Sequence, residues 1–296
     1  MKFSKIDIPS KDKNDKNMLA FIKKEPKLQK IISSLKITDE EILENSLIFL
    51  NAIESFSKKN DQYIVSYDIS RDAKNKLIFK EKVVNNNFAL ELERFLNLYL
   101  TEISEPNSNY LLKKFSVSNL QRQEIMKQFK LIAKTKEKNV NAPAKGLYIY
   151  GKTNSGKSYI LQSFANYFSS SQIKTSYLAI EKLYKALIKK IQEREANNSG
   201  NNQKYFIELI KNIDVLIIDN LGLENKSEWF VLEVLSEILE YRNENNLLTF
   251  FGSPFKIDEL FSLYLQKYSS APEKKYKIEK LIKQIKNLTL ELEIQE

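Results

Sequence analysis

The chain of 296 residues contains neither cysteine nor histidine. Disulfides, Cys/His zinc sites, thiol nucleophiles and imidazole bases are therefore excluded, and any chemistry must run on carboxylates, lysines, hydroxyls and bound metal. Arginine is scarce as well, limited to Arg71, Arg94, Arg122, Arg194 and Arg242. The formal net charge of +9 is thus carried almost wholly by lysine. Such a charge favours an anionic partner, nucleic acid first. Lysine, asparagine and isoleucine are abundant together, however, a bias that AT-rich coding also produces, so basicity alone is weak ground for DNA binding. Long apolar runs are missing too: nothing approaches the roughly 18 residues of a membrane helix. The first residues are polar and mixed in charge, without the pattern of a secretory signal. A cytoplasmic protein with no membrane partner is the expectation. A hydrophobic fraction of 42% is enough for a buried core.

Glycine is rare, six in all, which makes its placement informative. One run reads Gly146-Leu-Tyr-Ile-Tyr-Gly151-Lys-Thr-Asn-Ser-Gly156-Lys157-Ser158. Its last eight residues, Gly151, Lys152, Thr153, Asn154, Ser155, Gly156, Lys157 and Ser158, match the phosphate-binding loop G-x-x-x-x-G-K-[ST]. Leu147–Tyr150 before it is a β-prone apolar run. After it, Ile160, Leu161, Phe164 and Phe168 share one helical face. Strand, loop and helix start come in the order that lets backbone N–H groups and a helix N-terminus receive a polyphosphate. An ordinary glycine turn before a helix is the competing reading. On the functional one the ligand is ATP. Lys157 reaches its β- and γ-phosphates, and Ser158 gives its hydroxyl to Mg²⁺.

Along the chain, residues 1 to about 20 look charged and loose. Helical spacing runs between Glu25 and Phe56, with Pro26 in a first turn. Tyr63–Asp68 and Leu77–Val84 read as strands, and Phe88–Ile103 as another helix. Glu105–Asn109, rich in Pro, Asn and Ser, is the expected linker. This predicts a smaller α+β segment, 1–109, and an ATP-binding segment, 110–296. In the second, strands at Leu147–Tyr150, Thr175–Ile180, Val215–Asp219 and Leu248–Phe251 alternate with helices, the signature of an α/β domain with a mostly parallel sheet. Asn197–Asn202 reads as a polar loop.

Asp214-Val-Leu-Ile-Ile-Asp219 is an apolar strand ending in a carboxylate, the Walker B form, and Asp219 is the expected partner of Ser158 in holding Mg²⁺. The residues from Asp219 onward are more specific. Asp219-Asn-Leu-Gly-Leu-Glu224, Ser227-Glu-Trp229, Tyr241-Arg242 and Leu248-Thr-Phe-Phe-Gly-Ser-Pro254 together resemble the AAA+ core of bacterial replicative helicase loaders of the DnaI/DnaC type. The resemblance covers about residues 112–296. It implies an AAA+ P-loop fold and an amino-terminal domain that binds the replicative DNA helicase. It also implies contact with single-stranded DNA, and homo-oligomers when assembled with the helicase. A transposition helper ATPase of the same group and an ATP-binding adaptor without turnover are the alternatives.

Three departures from the family pattern fall on hydrolysis and spare binding. Where the family has a second acid that polarises water, this chain has Asn220. Its sensor position is Pro254, which has no side-chain donor. The late arginines of the family align with Lys280 and Gln284, and lysine lacks the planar fork that grips a phosphate from two directions. Lys157 and Asp219 remain as catalytic candidates beside the degenerate Asn220 and Pro254, with Glu224 as a conceivable replacement acid. Whether the chain works as an ATPase is left open. The zinc that the family's amino-terminal domain usually holds has no ligands here. On the Glu181–Arg194 helix, Lys182, Lys185 and Lys189 face away from the apolar side and are candidate contacts to single-stranded DNA, against the plainer reading of a solvated lysine face.

Overall fold

The computed structural model describes residues 11–57, 65–72, 74–83, 87–197, 202–224 and 227–295. The chain divides into two compact units, Met1–Leu92 and Glu93–Glu296.

The first unit holds α1 (Lys11–Lys24), α2 (Pro26–Leu35), α3 (Asp39–Glu44) and α4 (Ser46–Ser57), then an antiparallel hairpin of β1 (Val65–Arg71) and β2 (Leu77–Val83). Pro26 occupies the first turn of α2, where its missing N–H costs nothing. A reciprocal capping box between Thr38 and Glu41 opens α3. The start of the chain corrects the expectation of a loose segment, because α1 begins at Lys11. Its lysines hide Met18, Leu19 and Ile22, which pack at helical spacing on Leu28, Ile42 and Phe49. The strand expected at Tyr63 is described from Val65 and extends to Arg71. Tyr63, Val84 and residues 198–201 of the polar loop lie outside the described residues.

After α5 (Asn87–Asn97) the chain continues as β3 (Leu98–Tyr99), α6 (Leu120–Lys138), β4 (Gly146–Tyr150), α7 (Lys157–Ser170), β5 (Thr175–Ala179), α8 (Ile180–Asn197) and α9 (Asn202–Asn212). Next come β6 (Val215–Asp219), α10 (Ser236–Glu244), β7 (Leu248–Ser253), α11 (Ile257–Tyr268), α12 (Pro272–Leu288) and β8 (Thr289–Glu293). The helix expected over Phe88–Ile103 stops at Asn97, because Leu98 and Tyr99 pair with Thr175 and Ser176 and Leu100 turns left-handed (φ 61°). Glu105–Asn109 is packed inside the second unit. The Asn107 N–H donates to Gln162 Oε1 at 2.8 Å, and Asn166 Nδ2 donates to the carbonyls of Asn107 and Tyr110 at 2.9 Å each.

The strands form a parallel six-stranded sheet in the order β3-β5-β6-β7-β4-β8. Helices cover both faces, so central strands such as Val215-Leu-Ile-Ile are apolar at every position instead of alternating. This is the α/β fold read from the sequence. One core surrounds Leu178, Leu216, Ile218 and Phe251, and the other surrounds Ile149, Phe164, Ile217 and Phe250. In sheets of this kind ligands meet the carboxyl ends of the strands. Here those ends are Tyr150, Asp219 and Ser253.

Candidate nucleotide site

The loop between β4 and α7 is anchored where the Gly151 N–H meets the Ser253 carbonyl at 3.3 Å. Asn154 (φ 67°) and Gly156 (φ 96°) take left-handed backbone, which turns the chain sharply into α7. No side chain caps α7 at Gly156, which leaves the positive end of the helix to a ligand. Lys157 is 8% exposed. Its Nζ donates to the carbonyls of Gly151 (2.7 Å) and Lys152 (2.6 Å) and to Ser155 Oγ (3.4 Å). Burial pushes the Lys157 ammonium pKa down, against the opposing pull of the Asp219 charge.

The facing side comes from β6 and β7. Asp219 is fully buried and accepts from the Tyr177 hydroxyl at 2.6 Å (Oδ2) and from the Asn220 N–H at 2.8 Å (Oδ1). Gly252 on β7 makes room for it, since a Cβ there would lie 2.5 Å from Asp219 Oδ1. Asn220 has left-handed backbone (φ 63°), a conformation asparagine and aspartate accept more readily than most residues. The Ser253 hydroxyl donates to the Leu221 carbonyl at 2.7 Å, so it is turned away from the loop.

Between these walls lies a cavity of about 330 Å³, lined by Thr153, Asn154, Gly156, Lys157 and Ser158 on one side and Asn220, Leu223 and Pro254 on the other. The binding residues and two of the degenerate hydrolysis positions therefore meet at one cavity, with Asp219 directly behind Asn220. An uncapped helix end, a glycine at the tight turn, a lysine ammonium and a hydroxyl form a donor set that fits a polyphosphate with its magnesium ion.

The other expected residues lie elsewhere. Glu224, the conceivable replacement acid, is turned into the core, where its Oε2 accepts from the Gly222 N–H at 2.8 Å and burial raises its pKa. Lys280 pairs with Glu240, and Gln284 is buried in α12; neither lines the cavity. Lys182, Lys185 and Lys189 are all exposed along α8.

Two contributors escape a reading of the sequence. Arg122 braces the loop, with Nη2 on the Ser155 carbonyl (3.0 Å), Nε on the Gln295 carbonyl (2.9 Å) and its guanidinium over the Phe115 ring. Its signal was its rarity, an arginine where lysine is the rule. Tyr177, mid-strand in an apolar run, gave no signal at all.

Comparison with known proteins agrees with this geometry. Residues 107–260 match the family described as the bacterial DnaA ATPase domain. The chain is 30% identical over 125 residues to the replicative helicase loader DnaI of Bacillus subtilis (strain 168). That match spans 42% of this chain and 38% of the relative's length. A crystal structure of DnaI is 26% identical with a TM-score of 0.51, covering 66% of this chain and 94% of that one. The DnaC helicase loader structure, at 20% identity and a TM-score of 0.51, covers 63% and 97% and shares the fold.

Proposed function

The chain belongs to the bacterial DnaA ATPase domain family, in its DnaI/DnaC-type branch, and from that premise we propose that it is an ATP-binding loader of the replicative DNA helicase. On this reading residues 110–296 bind ATP with Mg²⁺ and contact single-stranded DNA, and residues 1–109 bind the helicase. Nucleotide state then biases how subunits pack and so delivers the helicase ring to a strand, a switch driven by contacts to the γ-phosphate.

One observation carries the proposal. The cavity joins an intact phosphate loop to a facing wall that holds Asn220 and Pro254. Lys157 and the loop N–H groups would hold the phosphates, and Ser158 and Asp219 the metal. The metal, when bound, neutralises charge on the β- and γ-phosphates. A ligand-binding role needs only these groups. Asn220 cannot take a proton and Pro254 cannot donate one, so the reading in which ATP binding itself is the signal gains support from the same wall.

The test is co-purification with the host's replicative helicase, with and without ATP, for the full chain and for Lys157→Ala. The substitution removes the charge facing the phosphates. It is expected to abolish ATP binding and to erase the effect of ATP on helicase capture. A dissociation constant for ATP within about threefold of the original, about 0.65 kcal/mol, would move the nucleotide elsewhere.

A further inference from the structure

Asp219 is fully buried and is not on the cavity wall. Both of its oxygens are engaged, Oδ1 by the Asn220 N–H and Oδ2 by the Tyr177 hydroxyl. The second contact is the head of a chain of hydrogen bonds. Gln162 Nε2 donates to the Tyr177 hydroxyl at 3.3 Å, and Gln162 Oε1 accepts from the Asn107 N–H at 2.8 Å. The orientation of that amide is fixed by its neighbours, because a backbone N–H must face the oxygen end.

We propose that Tyr177 is a positioning residue that competes with the metal for Asp219, and that its displacement is relayed through Gln162 to the backbone at Asn107. The inference rests on the ATP·Mg²⁺ reading given above. A phenol has one hydrogen to give, and Tyr177 gives it to Oδ2 in a setting only 5% exposed. When a cation claims that oxygen, the hydrogen needs another acceptor. The side chain already touching the phenol is Gln162, which presents its NH₂ end. It can accept only by turning its amide over, and the Asn107 N–H then loses its acceptor. Asn166 still holds the carbonyls of Asn107 and Tyr110, so the segment stays anchored while that one amide is released. The state of the metal site is thereby legible at the surface segment Glu105–Tyr110.

The experiment titrates MgCl₂ against ATP affinity for the full-length protein, Tyr177→Phe, Gln162→Leu and Asp219→Ala, and follows hydrogen exchange at the Asn107 amide. Phenylalanine keeps the ring packing and removes the competing donor. The half-saturating Mg²⁺ concentration is expected to fall roughly fivefold, the change corresponding to one net hydrogen bond. Leucine at 162 removes the fallback acceptor, so the Mg²⁺ requirement is expected to rise. Opposite signs from two neighbouring substitutions are not produced by a merely structural role. In the unsubstituted chain, Asn107 should exchange faster with ATP and Mg²⁺ than with ATP and EDTA, and Tyr177→Phe should remove that difference. An unchanged or raised Mg²⁺ requirement in Tyr177→Phe overturns the competition, and an indifferent Asn107 amide overturns the relay. If the unsubstituted chain itself binds ATP without regard to Mg²⁺ and Asp219→Ala changes nothing, the nucleotide reading falls and takes this inference with it.

Discussion

At the scale of single residues, the arginines are where a lysine-rich chain needed a planar fork. Arg242 is fully buried. Its guanidinium donates to the carbonyls of Ile210, Lys211, Ile213 and Leu248 and to the Thr249 hydroxyl, between 2.7 and 3.3 Å. Burial pulls its pKa down to about 9, with the charge of Asp214 opposing, so the hydrogen bonds that hold this cation come from neutral dipoles. Lysine has three donors on a point charge and cannot reach acceptors on both sides of the fork. Arg242→Lys is expected to cost on the order of 3–5 kcal/mol. A lower urea midpoint with an unchanged slope is the reading to look for. A midpoint shift worth under about 1 kcal/mol would mean that water replaces the lost donors. The Tyr241-Arg242 pair was legible in the sequence as a motif. Its role was not, because its partners are mostly backbone carbonyls around α9 and β7 that no side-chain pattern announces. Lys157 and Ser158 were legible for the opposite reason: the loop that surrounds them lies within a few residues along the chain.

Among the elements, those buried on both faces were readable and those at the margins were not. β4, β5, β6 and β7 are nearly unbroken apolar runs, and the sequence placed each within a residue or two. β3 is two residues long and exists only because β5 offers it an edge. β8 alternates leucine with glutamate beside β4, a pattern too short and too charged to stand out from the end of α12. The hairpin of the first unit is tied to its helices by one charged pair. Arg71 makes two contacts of 2.8 Å to the Glu41 carboxylate and donates to the carbonyls of Leu35 and Lys36. The hydrogen bonds from Arg71, with help from the Thr38 N–H, hold the Glu41 pKa at about 2 instead of the ordinary 4.5. A depressed carboxyl pKa stabilises the folded chain fully above about 4.5 and ceases to do so as pH falls toward 2. Arg71→Met should therefore lower the melting temperature by a constant amount above about pH 5, with the gap closing between roughly pH 4.5 and 2. Melting curves followed by circular dichroism at about pH 7, 4 and 2.5 check it. A gap that stays constant down to about pH 2.5 would assign the loss to packing of the arginine stem, not to the charged pair.

For the molecule as a whole, the question is what a complete binding site does with an incomplete hydrolysis site. The phosphate loop, Ser158 and Asp219 are in place, while Asn220 and Pro254 line the same cavity and Lys280 is engaged by Glu240. Glu224, facing the core, offers no rescue. Loss of a general base typically costs about 10²–10⁴ in rate, and loss of an arginine finger about 10³–10⁵, although such losses do not add. The expected outcome is ATP binding in the presence of Mg²⁺ with phosphate release close to that of Lys157→Ala, even with helicase and single-stranded DNA present. Turnover above that blank by about one per second, the low end for ordinary enzymes, would show that another group polarises the water. Asn220→Asp separates the remaining causes. Aspartate tolerates the left-handed backbone that Asn220 adopts, so the substitution tests chemistry and not folding. A rise in rate would make the missing acid the limiting group. No rise would place the defect at Pro254, where no side chain can orient a water, or at the arginine forks that Lys280 and Gln284 do not supply.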